Sequence, residues 1–112
     1  MKNQNLKLWI DDVRSAPVGF YGVKSVDEAK RLIENCELMY KASGKKSYYK
    51  IEMIDIDHNA GDYVQDDGDY IKLLDWLEET GRNYPIHIHN MNPVGMENMR
   101  KIIQKNNWTE IV

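Results

Sequence analysis

The chain has one cysteine, three prolines and a single phenylalanine among its 112 residues. A lone cysteine, Cys36, cannot close an internal disulfide, which fits a reducing cytoplasm. No apolar run exceeds about four residues, so no membrane span is expected. The opening residues, Met1-Lys2-Asn3-Gln4-Asn5, lack the apolar core of a secretion signal. A basic excess is missing too: 15 basic residues stand against 18 acidic ones, for a net charge of -3. Nonspecific binding to duplex DNA needs a basic face and is therefore not expected. A small nucleotide or an RNA 3′ end remains compatible as partner. No repeat or low-complexity linker interrupts the chain, so residues 1–112 read as one cytoplasmic domain. Nothing in the composition sets an oligomeric state.

What is present is an alternation of short strand-like and longer helix-like segments. Leu6 to Ile10 reads as a first strand and Phe20 to Lys24 as a second. Ser25 and Glu28 have the spacing of a capping box. Val26, Ala29, Leu32, Ile33, Cys36, Met39 and Tyr40 then recur at helical steps. Tyr49 to Ile56 is the best strand candidate. Asp69 is placed to cap a helix carrying Ile71, Leu73, Leu74, Trp76 and Leu77, with Gly81 at its stop. Pro85 to His89 reads as a fourth strand. Asn92 followed by Pro93 is a strong helix start, and Trp108 to Val112 reads as a last short strand or a packed tail. This order predicts an open α/β sandwich with a mostly parallel sheet of 4–5 strands. The nine residues from Asp11 to Gly19 leave little room for a helical crossover between the first two strands. The fold is therefore expected to be trimmed.

In open α/β sheets, ligands bind beyond the carboxyl ends of the strands. Three of those ends carry unusual residues. The first strand ends in Asp11 and Asp12, the third in Asp55, Asp57 and His58, and the fourth in His89, Asn90 and Asn92. Six aspartates and no lysine or arginine lie between positions 55 and 69. Crowded carboxylates repel unless a cation or a proton relieves them. Magnesium favours such oxygens and keeps waters for a phosphate substrate. The plain alternative, for Asp62, Asp66 and Asp67 above all, is a solvated acidic loop. An EF-hand fails because Ala60 stands where glycine is required and a strand precedes the motif.

His87 and His89 are two apart and point to one side of a strand. His87 reads as a satisfied buried strand residue. His58 and His89 are better placed for general acid or base work near neutral pH. The helix start at Asn90, Asn92 and Gly95 offers N–H groups to an anion, with Arg14 as a cationic partner; ordinary capping is the alternative. Tyr70, Trp76 and the methionines from 96 to 99 read as packing.

Together, Leu8-Trp9-Ile10-Asp11-Asp12-Val13-Arg14, Ile54-Asp55-Ile56-Asp57-His58-Asn59, Gly68-Asp69-Tyr70, and Pro85 through Gly95 with Met99 resemble the cyclic-phosphate processing receiver family. That family is related to response-regulator receivers. The resemblance covers nearly the whole chain. It implies a trimmed, receiver-like (flavodoxin-type) three-layer sandwich and a role on cyclic phosphate ends. The third strand departs from the family's Leu-Asp-His-Asp, and Asn90 stands where a serine usually follows the last histidine. No lysine stands in the stretch after Trp108, where an ordinary receiver carries one, which counts against simple phospho-relay.

The function expected is thus a metal-assisted phosphoesterase on 2′,3′-cyclic phosphate ends of RNA or nucleotides. Asp11, Asp12 and Asp55 (or Asp57) would hold a divalent cation, most simply magnesium. His58 or His89 would move a proton, with Asp57 as a further catalytic carboxylate. Arg14, Asn90, Asn92 and Gly95 would hold the phosphate. The alternative is a non-catalytic receiver-like signalling module, phosphorylated on Asp55 or Asp57, or a phosphate- or nucleotide-binding domain without turnover.

Overall fold

A computed structural model describes residues 5–57, 61, 64–65, 68–89 and 93–112. Four strands form one parallel sheet: β1 (Leu6–Ile10), β2 (Phe20–Val23), β3 (Ile51–Ile56) and β4 (Ile86–Ile88), in the spatial order β2-β1-β3-β4. Three helices connect or follow them: α1 (Val26–Ala42), α2 (Ile71–Glu79) and α3 (Pro93–Lys105). This is a receiver-like α/β fold, with the expected parallel sheet and element order. The chain's tail adds only an isolated bridge, Ile86 to Glu110.

Local chemistry sets the helix ends. Ser25 Oγ accepts the N–H of Glu28 at 3.1 Å, while Glu28 Oε1 accepts the N–H of Lys24 at 2.9 Å. The expected capping box is therefore built, shifted one residue outward on its return bond. At α2 the expectation differs. The cap residue is Tyr70, with no side-chain cap, and Asp69 contributes its backbone carbonyl to Lys72 N–H. Tyr70 is fully buried, and its hydroxyl donates to the Lys24 carbonyl at 2.7 Å. Burial of that ring fixes the helix start in place of a cap.

Register sorts the sheet into two unlike faces. Leu8 pairs with Ile54 and Ile10 with Ile56, and these in turn with Ile86 and Ile88. Paired residues share a face, so these six aliphatics form one apolar floor. They pack in a single core with Val26, Ala29 and Ile33 of α1, Leu73, Leu74 and Leu77 of α2, and Met99 and Ile103 of α3. A bulge at Glu52 shifts the β3 register between Leu6 and Lys7 and lets Ile51 join that core.

All three helices lie on this one face. Each crossover runs in the same direction across the sheet, and right-handed connections then place every helix on the same side. The connection from β1 to β2 has nine residues and no helix, although the strands are parallel neighbours. The trimming thus goes further than the sequence predicts: among the described residues the third layer of the sandwich is absent. The opposite face carries Lys7, Trp9, Phe20, Met53 and His87, all half-buried and outside the core. The β1–β2 loop crosses part of it. Trp9 Nε1 donates to the Arg14 carbonyl at 3.1 Å. A side chain at Gly22 would meet Ala16 Cβ at 3.2 Å, so the loop crosses this strand in tight contact. No described helix is long and apolar enough to cross a membrane.

Candidate functional site

The helix-free face is also the face that carries the chemistry. The ladder bonds continue past the strand ends: Asp11 N–H to Val23 O, Asp57 N–H to Ile10 O, and His89 N–H to Ile56 O. Lys24, Asp11, Asp57 and His89 therefore form a top row on that face. One step down the strands, Gly22, Trp9, Asp55 and His87 form a second row.

His89 ties the two rows together. Its Nδ1 donates to Asp55 Oδ1, and its Nε2 donates to Asp11 Oδ2 at 3.0 Å. His87 Nδ1 meets the same Asp55 oxygen at 2.9 Å. Ionised carboxylates only accept, so two of them hold the His89 ring doubly protonated. Its plane lies on the Trp9 indole, with centroids 3.8 Å apart and planes inclined by 6°. An imidazolium on an indole face gains cation–π attraction as well as packing.

The electrostatics follow from these contacts. Burial would lower the His89 pKa, but its bonds to Asp55 and Asp11 outweigh burial and hold it above the ordinary value. Burial would push Asp11 up. The N–H groups of Arg14 and Val13, each 2.9 Å from Oδ1, together with His89, hold it below the usual range instead. Asp55 is likewise buried, and its two histidine partners hold its pKa down.

The sequence-predicted residues fall into three groups. Asp11, Asp55, Asp57 and His89 are brought together. Asp12 and Arg14 stand at the rim, where an added methyl on Gly61 would overlap Asp12 Oδ2. Gly95 is buried in the first turn of α3. His58, Asn90 and Asn92 lie outside the described residues. His87 is not a core residue: its half-exposed ring is a partner of Asp55. Two residues went unread as site groups, Trp9 and Lys24. Trp9 shares strand parity with Asp11, and that parity was the available signal.

Cation binding has a natural place here. Asp11, Asp57 and His89 each offer one ligand atom, all within 4.8 Å of one another. Two carboxylates and an imidazole suit a divalent ion. Asp55 lies beside this set, with its Oδ1 shared by the two imidazoles. A nitrogen ligand must first shed its proton, so His89 serves either as cation or as ligand.

Beside the top row, Trp9, Asp11, Arg14, Ser15, Ala16 and Lys24 line a pocket of about 220 Å³. Lys24 Nζ donates to the Asp12 carbonyl at 3.3 Å. A larger hollow of about 430 Å³ opens at the other end of the strands, between Cys36, Tyr40, Tyr49 and Tyr84. Its polar residue Glu37 is committed to Arg82 and Tyr84. The acid–histidine rows lie only at the smaller pocket among these two.

No curated protein and no solved structure matches the chain. A family model, the cyclic-phosphate processing receiver domain, matches residues 6–105. That span includes both rows of the site, and the chain belongs to the cyclic-phosphate processing receiver domain family.

Proposed function

We propose that this protein is a phosphoesterase that opens cyclic phosphates, with 2′,3′-cyclic nucleotide or RNA ends as the substrate class. The observation that carries the reading is the placement of His89 between Asp11 and Asp55, beside a pocket edged by Arg14 and Lys24.

Opening the ring adds water across one P–O ester bond. The water oxygen bonds to phosphorus, and one ring oxygen leaves carrying the electron pair of the broken bond. That oxygen needs a proton, and His89 would supply the one at Nε2, which gives up its bond to Asp11 Oδ2 as it moves. The attacking water must lose a proton, and the Asp57 carboxylate stands in the same row to take it. Arg14 and Lys24 offset the charge on the non-bridging oxygens. Asp55 orients the imidazole and favours its charged form. A divalent ion, magnesium in the simplest case, would polarise the phosphate if held by Asp11 and Asp57.

The test is a panel of nucleoside 2′,3′-cyclic phosphates, assayed with magnesium, manganese or a chelator. Ring opening that is lost in Asp11→Ala and His89→Ala supports the reading. Turnover unchanged in both variants overturns it. Binding without turnover leaves a phosphate-binding module of the same family.

A further inference from the structure

The missing helical layer leaves a surface continuous with the site. Parallel sheets are ordinarily covered on both faces. Here, among the described residues, only the β1–β2 loop crosses part of the second face. Below the acid–histidine rows lies a third row, Phe20, Lys7 and Met53, set by the pairing of Lys7 with both neighbours. All three are half-buried. Phe20 stands edge-on to Trp9, with centroids 5.9 Å apart, and Lys7 Nζ lies 5.5 Å from the Phe20 ring centre.

We infer that this open sheet face is a nucleobase platform. The base of the substrate nucleotide lies on Phe20 and Met53, below the cyclic phosphate held at Arg14 and Lys24. The inference rests on the phosphoesterase reading and deepens it by naming what recognises the non-reacting part of the substrate. Three observations carry it. The face presents a partly exposed aromatic ring, with the Lys7 ammonium over it, and a partly exposed thioether, groups that pack against any base. Lys7 supplies positive charge for a phosphodiester running along the strand. Trp9 belongs to both regions, touching His89 on one side and Phe20 on the other. A permanent protein partner would instead require a broad apolar patch, and this row includes a lysine paired with Glu52 at 3.9 Å.

The test compares the binding of cytidine and adenosine 2′,3′-cyclic phosphates with that of ethylene phosphate, a five-membered cyclic phosphate without sugar or base. Ribose 2,3-cyclic phosphate separates the sugar from the base. The nucleosides should bind about tenfold or more tightly than the ribose compound, the range expected for one stacked base. Phe20→Leu, which keeps apolar bulk and loses the ring, should bring the nucleoside affinity toward the ribose value. Stacking should also quench tryptophan emission in the wild type. Equal binding of nucleoside and ribose compounds, with base-free ligands still bound, overturns the platform and leaves the phosphoesterase reading standing. Failure of every cyclic phosphate to bind overturns both. A dimer in solution that Phe20→Glu dissociates also overturns the platform, since a second copy then covers the face.

Discussion

The imidazole of His89 rests flat on the indole of Trp9, and it reaches that indole from β4 by passing over Asp55 of the intervening strand. Trp9 therefore fixes the ring plane, while Asp11 and Asp55 fix its two nitrogens. Removing the indole leaves the nitrogens bonded but the plane free to tilt. Trp9→Leu should lower turnover of a cyclic phosphate by about 10–100-fold, the scale of a small misplacement of a reacting group. The measurement is kcat against KM, with the loss expected in kcat.

The acid–histidine contacts make stability depend on pH in a defined direction. The His89 pKa is raised above its unfolded value of about 6.5. Its contribution is full below that value and is lost as pH rises through the folded one. Asp11 and Asp55 are held low, so their contribution is present above about pH 4 and is lost as pH falls through their folded values. Urea midpoints in a chelating buffer should be highest in the mildly acidic window between the two. In His89→Gln the alkaline decline should flatten.

Cation binding should follow the grouping in space. Asp57→Asn should weaken manganese binding by about tenfold or more, measured by titration calorimetry, because it removes one of three clustered ligands. Asp12→Asn should weaken it less. A larger loss in Asp12→Asn would restore the ligand set read from the DDVR segment.

Tyr70 anchors the site from the helical side. Its hydroxyl joins α2 to the carbonyl of Lys24, the residue that opens the top row. Tyr70→Phe leaves that carbonyl without this donor and should cost about 1 kcal/mol by urea unfolding. Phosphate binding should weaken with it if Lys24 shifts.

The elements were largely legible because they rest on local signals. The stripe from Val26 to Cys36 and the Ser25–Glu28 spacing define α1 within the sequence itself. The acids at strand ends were legible because parallel strands send their carboxyl ends to one edge. The open face was not. A short β1–β2 link shows that one helix is missing, but the side on which the other helices pack depends on strand order, which the sequence leaves unwritten. The partners of His89 were hidden for a similar reason, since its ring crosses a whole strand to reach Asp11. The second helix starts one residue later than the Asp69 signal predicts, with the buried Tyr70 at its cap position.

The bulge at Glu52 has a consequence for how β3 keeps phase. The strand carries two alternating patterns out of step by one residue, Ile51 belonging to the first and Ile54 and Ile56 to the second. Glu52 absorbs the offset, which is why a simple odd–even reading of Ile-Glu-Met-Ile-Asp-Ile fails. Deleting Glu52 would close the bulge and keep every pairing of β1 with β3, because Ile51 and Met53 would then follow one another opposite Leu6 and Lys7. Asp55 would stay opposite Trp9 and Ile54 opposite Leu8. The polarity of the sheet, apolar toward the helices and acidic on the other face, is thus set by the unbroken run of pairings from Lys7–Met53 to Ile10–Ile56, and the bulge is a tolerated insertion at its start.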